Sequence, residues 1–518
     1  MIWLIARKDF FLNLISARFV IGFILCLVVI PFTIMVGVDR YKDQVRVHKV
    51  YEQNMENAKK EIRVYSQVRP EIIIPPEPLS IFSRGISDNI GNSITIQLGE
   101  YPLFPSGHTV TRDNPLLNTF FSIDFATVIA ILISLLALVF SYDIFTRERE
   151  DGTLKITLVN GVGRPAFLMG KLLGIFITLV PILLFCFLLG ILVTVLSPDV
   201  EFSADNWVGV GLLFLSSLIY MSVFILFGMF ISTKAKHSST SIIVSLLCWI
   251  WFLFLMPNIA SYISQSFVKT EVYDNVQFAL NALDRESRNE YNEKADPIKR
   301  DLGIDGGISH WNYNGWYDGM EIMSGCTWET NEYYRRINTW KEPTRIDYAD
   351  KKWAVQKKYL DDLERQGKIR EYLACLSPAG IFEQVADIQC NTDPVTFLGY
   401  MDNVRNYRES IISYFKDKKL FESYSYFTPQ PESTFPTQEQ QTLVLDGFRN
   451  TGKYESPEEW NIQYYPPLNL DDVPVFEHKK ATVISAVNAS LVRIAGLIAL
   501  CTILLGITIV SFVRYDIR

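Results

Sequence analysis

The chain has 518 residues, of which 49% are hydrophobic and 20% are charged, and its formal net charge is −7. The apolar residues are concentrated in a few long runs, which indicates a polytopic membrane protein with a large water-exposed part. The negative balance and the lack of a basic stripe exclude a nucleic-acid-binding surface. Seven cysteines are too few for a disulfide scaffold.

Six apolar runs meet the requirement of roughly 20 residues for a helix that crosses the hydrocarbon core of a bilayer. The predicted spans are residues 19–38, 120–140, 172–196, 207–231, 241–263 and 484–513. Strongly charged residues are nearly absent from their cores, as the cost of burying a charge in lipid requires. The first run is longer than the apolar region of a signal peptide, and no small-residue cleavage site follows it, so we interpret it as a span.

The short loops between the spans set the predicted orientation. The 142–171 connection carries five basic residues, whereas the connection between the third and fourth spans has no Lys or Arg and three acidic residues. All the basic short loops fall on one side only if both termini are cytoplasmic. Some basic residues border the long segments on the opposite side, where charge counts for less: Arg40, Lys42, Lys479 and Lys480.

This orientation places two long segments, 39–118 and 264–480, outside the cytoplasm. The first begins with apolar residues at helical spacing, among them Val47, Tyr51 and Ile62. We therefore expect the first membrane helix to continue outward as a stalk, up to the prolines that begin at Pro70.

The 142–171 segment, called here the connecting segment, combines charge of both signs with a turn and a short amphipathic helix. A solvated loop on the cytoplasmic side explains its basic residues but not Glu148, Glu150 and Asp151. We interpret these carboxylates as facing a partner surface of opposite charge, with Leu154 and Leu158 as apolar anchors. Two further residues shape the turn: Gly152 is expected to supply backbone freedom, and Thr153 to cap the helix that follows.

The 264–480 segment is predicted to form a mainly helical domain in its own right. One helical stripe runs from Ala349 to Leu363. A second stripe runs from Phe397 to Phe415, is interrupted only by Arg408, and follows a good helix start at Asp393.

Two features of this domain leave alternatives open. The aromatic-rich stretch 310–340 is either a surface that grips a sugar, a peptide or a partner protein, or an aromatic core that joins the domain to its neighbour. In an oxidising compartment Cys375 and Cys390, at the ends of neighbouring helices, are a candidate disulfide pair. Cys326 allows other pairings.

Catalytic and metal sites are not predicted. Gly447–Lys453 resembles a phosphate-binding loop, but Tyr454 stands where the magnesium-binding Ser or Thr belongs, so we interpret the segment as a turn. Four of the five histidines are external and widely separated, without partners at metal-ligand spacing. No nucleophile–base constellation can be assembled either.

The connecting segment resembles that of the ABC-type-2 permeases, which share the type V ABC fold. The residues that carry the resemblance are Arg147-Glu148, Glu150, Gly152-Thr153-Leu154, Gly163-Arg164-Pro165 and Gly170-Lys171. The turn departs from the usual Pro-Ser-Arg-like order. Residues 1–18, which include Ala6-Arg7-Lys8-Asp9-Phe10, are similar to the interfacial elbow helix of this family.

Two external stretches narrow the resemblance to a large-loop subgroup. Residues 76–85, and the chain from Leu376-Ser377-Pro378-Ala379 onward, are similar to permeases of copper-enzyme (nitrous oxide reductase) maturation systems. The implied fold is an all-α polytopic membrane protein with six transmembrane helices, both termini inside, and a mainly helical extracytoplasmic domain. The implied location is the bacterial inner membrane.

The resemblance also implies a function and a set of partners. Two permeases, identical or paired, associate with two ATPase subunits that bind ATP and Mg, and the permease itself binds no cofactor. Coupling to the ATPase is then assigned to Arg147, Glu148, Glu150, Gly152, Thr153, Leu154 and Leu158, and membrane re-entry to Gly170 and Lys171. Substrate export or translocation is the expected activity. The alternatives are a mechanotransmitter that acts on a periplasmic enzyme or lipoprotein, and a structural anchor without an ATPase.

The orientation can be tested by cysteine labelling. Asp205→Cys should react with an impermeant maleimide in intact spheroplasts, because Asp205 lies in a short loop on the predicted outer side. Lys236→Cys should react only after the membrane is opened. The reverse pattern would overturn the orientation.

Overall fold

A computed structural model shows most of the chain as helices. It describes residues 1–87, 91, 93–104, 123–159, 162–270, 273–304, 312–317, 320–324, 328–422, 437–452, 465–478 and 482–514. The helices that lie in or beside the membrane bundle are α1 (Ile2–Ile15), α2 (Ala17–Glu61), α3 (Phe125–Ser141), α4 (Thr146–Glu150), α5 (Thr153–Val159), α6 (Arg164–Val195), α7 (Ala204–Lys234), α8 (Ser238–Ile250) and α9 (Met256–Phe267). The remaining helices are α10 (Tyr273–Asp301), α11 (Trp328–Ala374), α12 (Pro378–Gln389), α13 (Pro394–Asp417), α14 (Gln438–Thr451) and α15 (Val483–Val513).

Six helical segments within the described residues are long and apolar enough to cross a membrane. They are Ala17–Glu61, Phe125–Glu150, Arg164–Val195, Ala204–Lys234, Ser238–Phe267 and Val483–Val513. Four of them contain a predicted span completely, and Arg164–Val195 ends one residue before the predicted end of the third. Phe125–Glu150 begins five residues after the predicted start of the second span, of which residues 120–122 lie outside the described part of the chain. The six-helix prediction is confirmed. The helices extend past the predicted ends because hydropathy marks the hydrocarbon core, whereas backbone hydrogen bonds continue into the polar layers.

The first membrane helix is much longer than a bilayer requires. Ser16 is extended and accepts a hydrogen bond from the Phe19 backbone N–H, which starts α2 after the short α1. α2 has 45 residues, a length of about 68 Å at the usual helical rise. It ends at Glu61, before Pro70, so the predicted continuation of the first span as one helix is confirmed.

The fifth span is continuous although its hydrogen bonding changes midway. Residues Trp251–Leu255 form a π-helical turn between α8 and α9. In this turn the Phe252 carbonyl accepts a hydrogen bond from the Ser377 hydroxyl at 2.6 Å, at the start of α12. The extra residue in the turn therefore directs a carbonyl toward a neighbouring helix.

The core of the bundle is formed by α3, α6 and α7. More than half of the most apolar stretch of α3 and of α7 is buried within the chain, against less than a fifth in α8–α9. The corresponding stretches of α2 and α15 are also mostly unburied. Apolar side chains that face outward over a bilayer span are solvated by lipid or by another membrane helix.

Helix α12 lies inside the bundle, and here the prediction of a separate 264–480 domain was wrong. Eleven of its twelve residues are buried. Phe382 stacks on Tyr220 of α7 with 4.6 Å between the ring centroids, and Gln389 donates to the Ser216 hydroxyl at 2.9 Å. The helix is apolar on more than one side, so it needs neighbours on more than one side, which only the membrane helices provide.

The outer part of the chain is mainly helical, as predicted. Two antiparallel two-stranded sheets accompany the helices, β1 (Glu71–Ile73) with β2 (Ser93–Thr95), and β3 (Asn312–Tyr317) with β4 (Met320–Ser324). α13 starts where predicted, because the Asp393 carboxylate accepts hydrogen bonds from the backbone N–H groups of Val395 and Thr396.

The arginine that interrupts the α13 stripe attaches the first outer segment to this helix. Arg408 is fully buried and donates to the backbone carbonyls of Gln97, at 3.0 Å, and of Leu98. Its guanidinium lies 4.0 Å from the centroid of the Tyr101 ring. The guanidinium also pairs with the Glu409 carboxylate at 2.6 Å. The buried charge is therefore satisfied by a counter-ion, carbonyl dipoles and an aromatic face.

The proposed Cys375–Cys390 disulfide is wrong. Both thiols are free, and the two residues flank opposite ends of the 12-residue α12. A helix of that length holds its ends about 18 Å apart, whereas bridged cysteines need Cα atoms within about 7 Å. Cys326 lies outside the described residues.

The segment Gly447–Lys453, which resembles a phosphate-binding loop, was predicted as a turn, but most of it is helical. Gly447–Thr451 belongs to α14, and the left-handed turn comes only at Gly452, whose φ is +69°. Lys453 and Tyr454 lie outside the described residues.

For the aromatic stretch, Tyr333 is buried against α10 and shares a hydrogen bond of 2.8 Å with Tyr291. These two residues fit the interpretation as an aromatic core. Most side chains of residues 310–328 lie outside the described part of the chain.

The packing of α1 on α6 gives a stability prediction. A Cβ at Gly170 would lie 2.8 Å from the Ile5 Cβ, whereas a Cβ at Gly211 would meet nothing within 4 Å. Gly170→Leu should therefore displace α1 and destabilise the purified protein by about 1–3 kcal/mol. Gly211→Leu is the matched control. Equal melting temperatures for the two variants in detergent would show that α1 does not depend on this contact.

Candidate functional site

The connecting segment folds into two short helices at a sharp turn. Gly152, between α4 and α5, has a φ of +70°, which confirms the predicted backbone freedom. Thr153 is the first residue of α5, and its hydroxyl donates to the Glu148 carbonyl at 3.2 Å. It therefore closes the end of α4 and does not cap α5 in the predicted way.

A buried charge cluster joins this segment to α1 and α6. The Lys171 ammonium lies 3.0 Å from an Asp9 carboxylate oxygen and also pairs with Glu148. The Lys171 side chain is only 7% exposed. Burial raises the pKa of the Asp9 carboxyl, and the neighbouring ammonium opposes this shift. The cluster holds α1, α4 and α6 together because a buried ion without its partner is costly.

A second set of contacts joins α4 to the corner between α7 and α8. The Glu150 carboxylate accepts hydrogen bonds from the backbone N–H and the hydroxyl of Ser238, both at 2.8 Å. It therefore occupies the N-terminus of α8, where the helix dipole favours a negative charge. The Arg149 guanidinium donates to the Ala235 carbonyl at 2.6 Å, at the end of α7. These residues fix α4 against the fourth-to-fifth connection.

Two further contacts extend the network to α2 and α15. Arg18, at the start of α2, lies 2.8 Å from Asp143 in the turn after α3. The fully buried Phe145 packs against Phe512 of α15, with 4.6 Å between the ring centroids, and against Phe167 of α6, with 6.3 Å. The connecting segment therefore contacts α2, α6, α7, α8 and α15, all at one end of the bundle.

Helix α5 presents a different set of residues to the outside than the sequence predicted. Leu154 is 3% exposed and Leu158 packs partly against the bundle core. Ile156 and Val159 are 64% and 83% exposed. Seven-residue helices cannot bury all their apolar residues against one neighbour, and the outward pair is left without a partner in the chain.

The contacts also change the roles predicted for the charged residues of the connecting segment. Glu148 and Glu150 pair inside the chain, so an external partner is not needed to explain them. The Arg147 and Asp151 side chains are mostly exposed and lie 4.0 Å apart. Gly170 lies against α1 and Lys171 in the charge cluster, so both are packing residues at the start of the third span.

The Ser232 hydroxyl of α7 also belongs to the network, because it accepts a hydrogen bond from the Phe145 backbone N–H at 3.1 Å. Sequence reasoning missed several members of the network: Asp9, Asp143, Phe145, Ser232 and Ser238. Asp9 had one usable signal, since it is an acidic residue among the apolar residues of an interfacial helix. The serines had none, because a hydroxyl at a helix end is common in any sequence.

Residues 3–300 match the model of the ABC-2 family transporter proteins, which covers more than half of the chain. The chain belongs to this family. Residues 338–433, which include α12 and α13, match a domain of unknown function, DUF3526. The chain is also similar to the probable ABC transporter permease protein NosY of Stutzerimonas stutzeri, with 30% identity over 132 residues. That match covers 25% of this chain and 47% of NosY, so it spans about half the length of the relative.

Membership of the family confirms the predicted resemblance to ABC-2 permeases. The protein is a multi-pass membrane subunit of an ABC transporter.

The charge cluster predicts a large effect from one substitution. Lys171→Met should destabilise the protein by about 3–5 kcal/mol, because Asp9 and Glu148 would remain buried without a counter-charge. Thermal unfolding in detergent measures the change. Lys155→Met, at an exposed position of α5, is the matched control.

Rescue distinguishes lost charge pairing from lost packing. Adding Asp9→Asn and Glu148→Gln to Lys171→Met removes the two uncompensated carboxylates and should restore much of the stability. If Lys171→Met melts with the Lys155→Met control, the cluster does not hold these helices.

Proposed function

We propose that this chain converts ATP hydrolysis by a separate ATPase subunit into movement of its membrane helices, and that α5 is the element on which the ATPase acts. The observation that carries the proposal is the pair Ile156 and Val159, two apolar side chains left exposed on a helix whose other side is anchored in the bundle. Exposed apolar residues next to charged ones are typical of a protein interface.

The contacts of the connecting segment provide the route for the movement. Force on α5 reaches α4 through one turn, and α4 is fixed to α6 by Glu148 and to the α7–α8 corner by Glu150. Phe145 extends this route to the end of α15 through its contact with Phe512. Because these contacts are buried or hydrogen-bonded, displacement of α5 tilts several helices together and does not simply bend a loop.

The assembly we propose contains two ATPase subunits and a second permease, identical or paralogous. ATP and Mg bind to the ATPase subunits, and this chain itself carries out no covalent chemistry. The outward apolar faces of α2, α8–α9 and α15 are available to lipid or to the second permease. We place the protein in the bacterial inner membrane with the outer helices extracytoplasmic, from the distribution of basic loops.

Substrate export or translocation is the activity that family membership favours. One set of observations favours the second candidate, mechanotransmission to a periplasmic enzyme or lipoprotein. α2 is a single helix from the bundle into the outer part, and α12 lies among the spans. In addition, Arg493 of α15 pairs with Glu371 of α11 at 2.9 Å. These links allow helix movements to reach the outer surface without a substrate path.

Cysteine scanning in the ATPase complex separates the two activities. If a substrate crosses, a continuous row of positions along the buried faces of α6 and α7 should react with a small impermeant thiol reagent during ATP turnover. If the protein only transmits movement, these positions stay protected, while spin labels on α11 and α14 change their separation during turnover.

The proposed contact surface predicts which substitutions break the complex. Ile156→Asp with Val159→Asp should leave the permease folded, because both residues are exposed, but weaken ATPase association by about thirtyfold or more. Copurification and pulldown measure this loss. Val395→Asp, at an exposed apolar position in the outer part, is the matched control.

Leu154→Asp should instead lower the stability of the permease itself, because Leu154 is buried. Wild-type ATPase association by the Ile156→Asp, Val159→Asp variant would show that α5 is not the contact.

A further inference from the structure

A cationic crevice lies where the C-terminal ends of α7 and α15 meet. Its volume is about 680 Å³, and its walls come from the α7–α8 corner, the last turn of α15 and α4. Four basic residues line it: Arg149, Lys234, Lys236 and Arg514. The hydrogen bond from Arg149 to the Ala235 carbonyl holds this guanidinium in the crevice wall.

The residues that line the crevice carry a net positive charge. None of the described lining residues is acidic. Within the same part of the chain, Lys234, Lys236 and Arg514 have no carboxylate within ion-pair distance. Glu150, which is close in sequence to Arg149, is engaged with Ser238 and lies 3.7 Å from His237. Such a concentration of cations attracts an anion, and more strongly where a bilayer lowers the dielectric constant around it.

An apolar strip leads from the crevice along the outer face of α15. Ile503, Ile507 and Val510 are each about half exposed, and Arg514 continues the same spacing of three or four residues. Residues at this spacing share one helix face. The crevice is therefore the charged end of a surface that is otherwise shaped for a hydrocarbon chain.

We propose that this site binds an anionic phospholipid, with the headgroup phosphate in the crevice and an acyl chain along the strip on α15. Lysine and arginine donate charge-assisted hydrogen bonds to phosphate oxygens. The strip distinguishes a lipid from a soluble phosphate, since only a lipid uses both parts of the surface. The site adjoins the α7–α8 corner to which α4 is fixed, so a bound lipid stabilises this corner. The proposal does not depend on ATPase coupling through α5.

The test uses the purified full-length permease and phosphatidylglycerol, with phosphatidylcholine as the uncharged comparison. Native mass spectrometry counts the lipids retained after detergent washing. Lys234→Gln with Lys236→Gln should reduce phosphatidylglycerol retention by about tenfold or more, because two cations are lost from the headgroup site. Arg7→Gln with Lys8→Gln removes the same charge from the N-terminal helix and should leave retention unchanged.

Two competitors identify the source of the phosphate. Inorganic phosphate and glycerol phosphate at millimolar concentration should not displace the retained lipid, because they do not contact the strip. Ile503→Ser with Ile507→Ser should weaken retention even though the crevice keeps its charge.

Three results would overturn the proposal. The first is equal retention of phosphatidylglycerol by both double variants. The second is displacement of the lipid by inorganic phosphate, which would make the crevice a soluble-anion site. The third is loss of ATPase copurification by Lys234→Gln, Lys236→Gln with lipid retention intact, which would make it a protein interface.

Discussion

The rest of this protein depends on one lysine, Lys171, which is almost completely buried near the start of the third span. Lys171 pairs with Asp9 and Glu148, and these two carboxylates belong to α1 and α4. Removing an ion from water costs several kcal/mol unless its counter-ions are in place. The N-terminal helix, the connecting segment and α6 therefore hold one arrangement, and α5 is presented from a fixed base.

The same principle operates on the opposite side of the bundle. Arg493 of α15 pairs with Glu371 of α11 and donates to Gln384 of α12 at 2.7 Å. Asp387 of α12 accepts a hydrogen bond from the Ser83 hydroxyl at 2.6 Å, and its pKa is raised by burial. Polar groups in a low-dielectric setting are satisfied only by specific partners, so each one fixes a helix in position. The membrane helices are thus tied to both surfaces of the protein.

These two sets of ties support the proposal that the protein transmits movement between its two ends. Buried, specific contacts have few alternative arrangements, and a packed bundle changes between discrete states more readily than it deforms gradually. α2 spans the distance from the connecting segment to the outer helices without a break. The two proposed activities, a substrate path and an action on another protein, share the same proposed input, a displacement of helix ends.

The sequence by itself determined the six spans, the helical outer part and the family. Each depends on a property summed over many residues, and such sums tolerate local exceptions. It also located the connecting segment and the turn at Gly152, because glycine is the residue that adopts a positive φ without strain. It did not predict which residues that are far apart in the chain contact each other.

Only the tertiary structure decided that Glu148 and Glu150 pair within the chain, that Leu154 is buried, and that Ile156 and Val159 are exposed. A short helix with several apolar residues has more than one candidate inward face, and its neighbours select one. Likewise, α12 was predicted as part of an outer domain because its length and its charged residues do not resemble a span. Its true place in the bundle depends on partners in α7, α11 and α15, whose proximity no local pattern encodes.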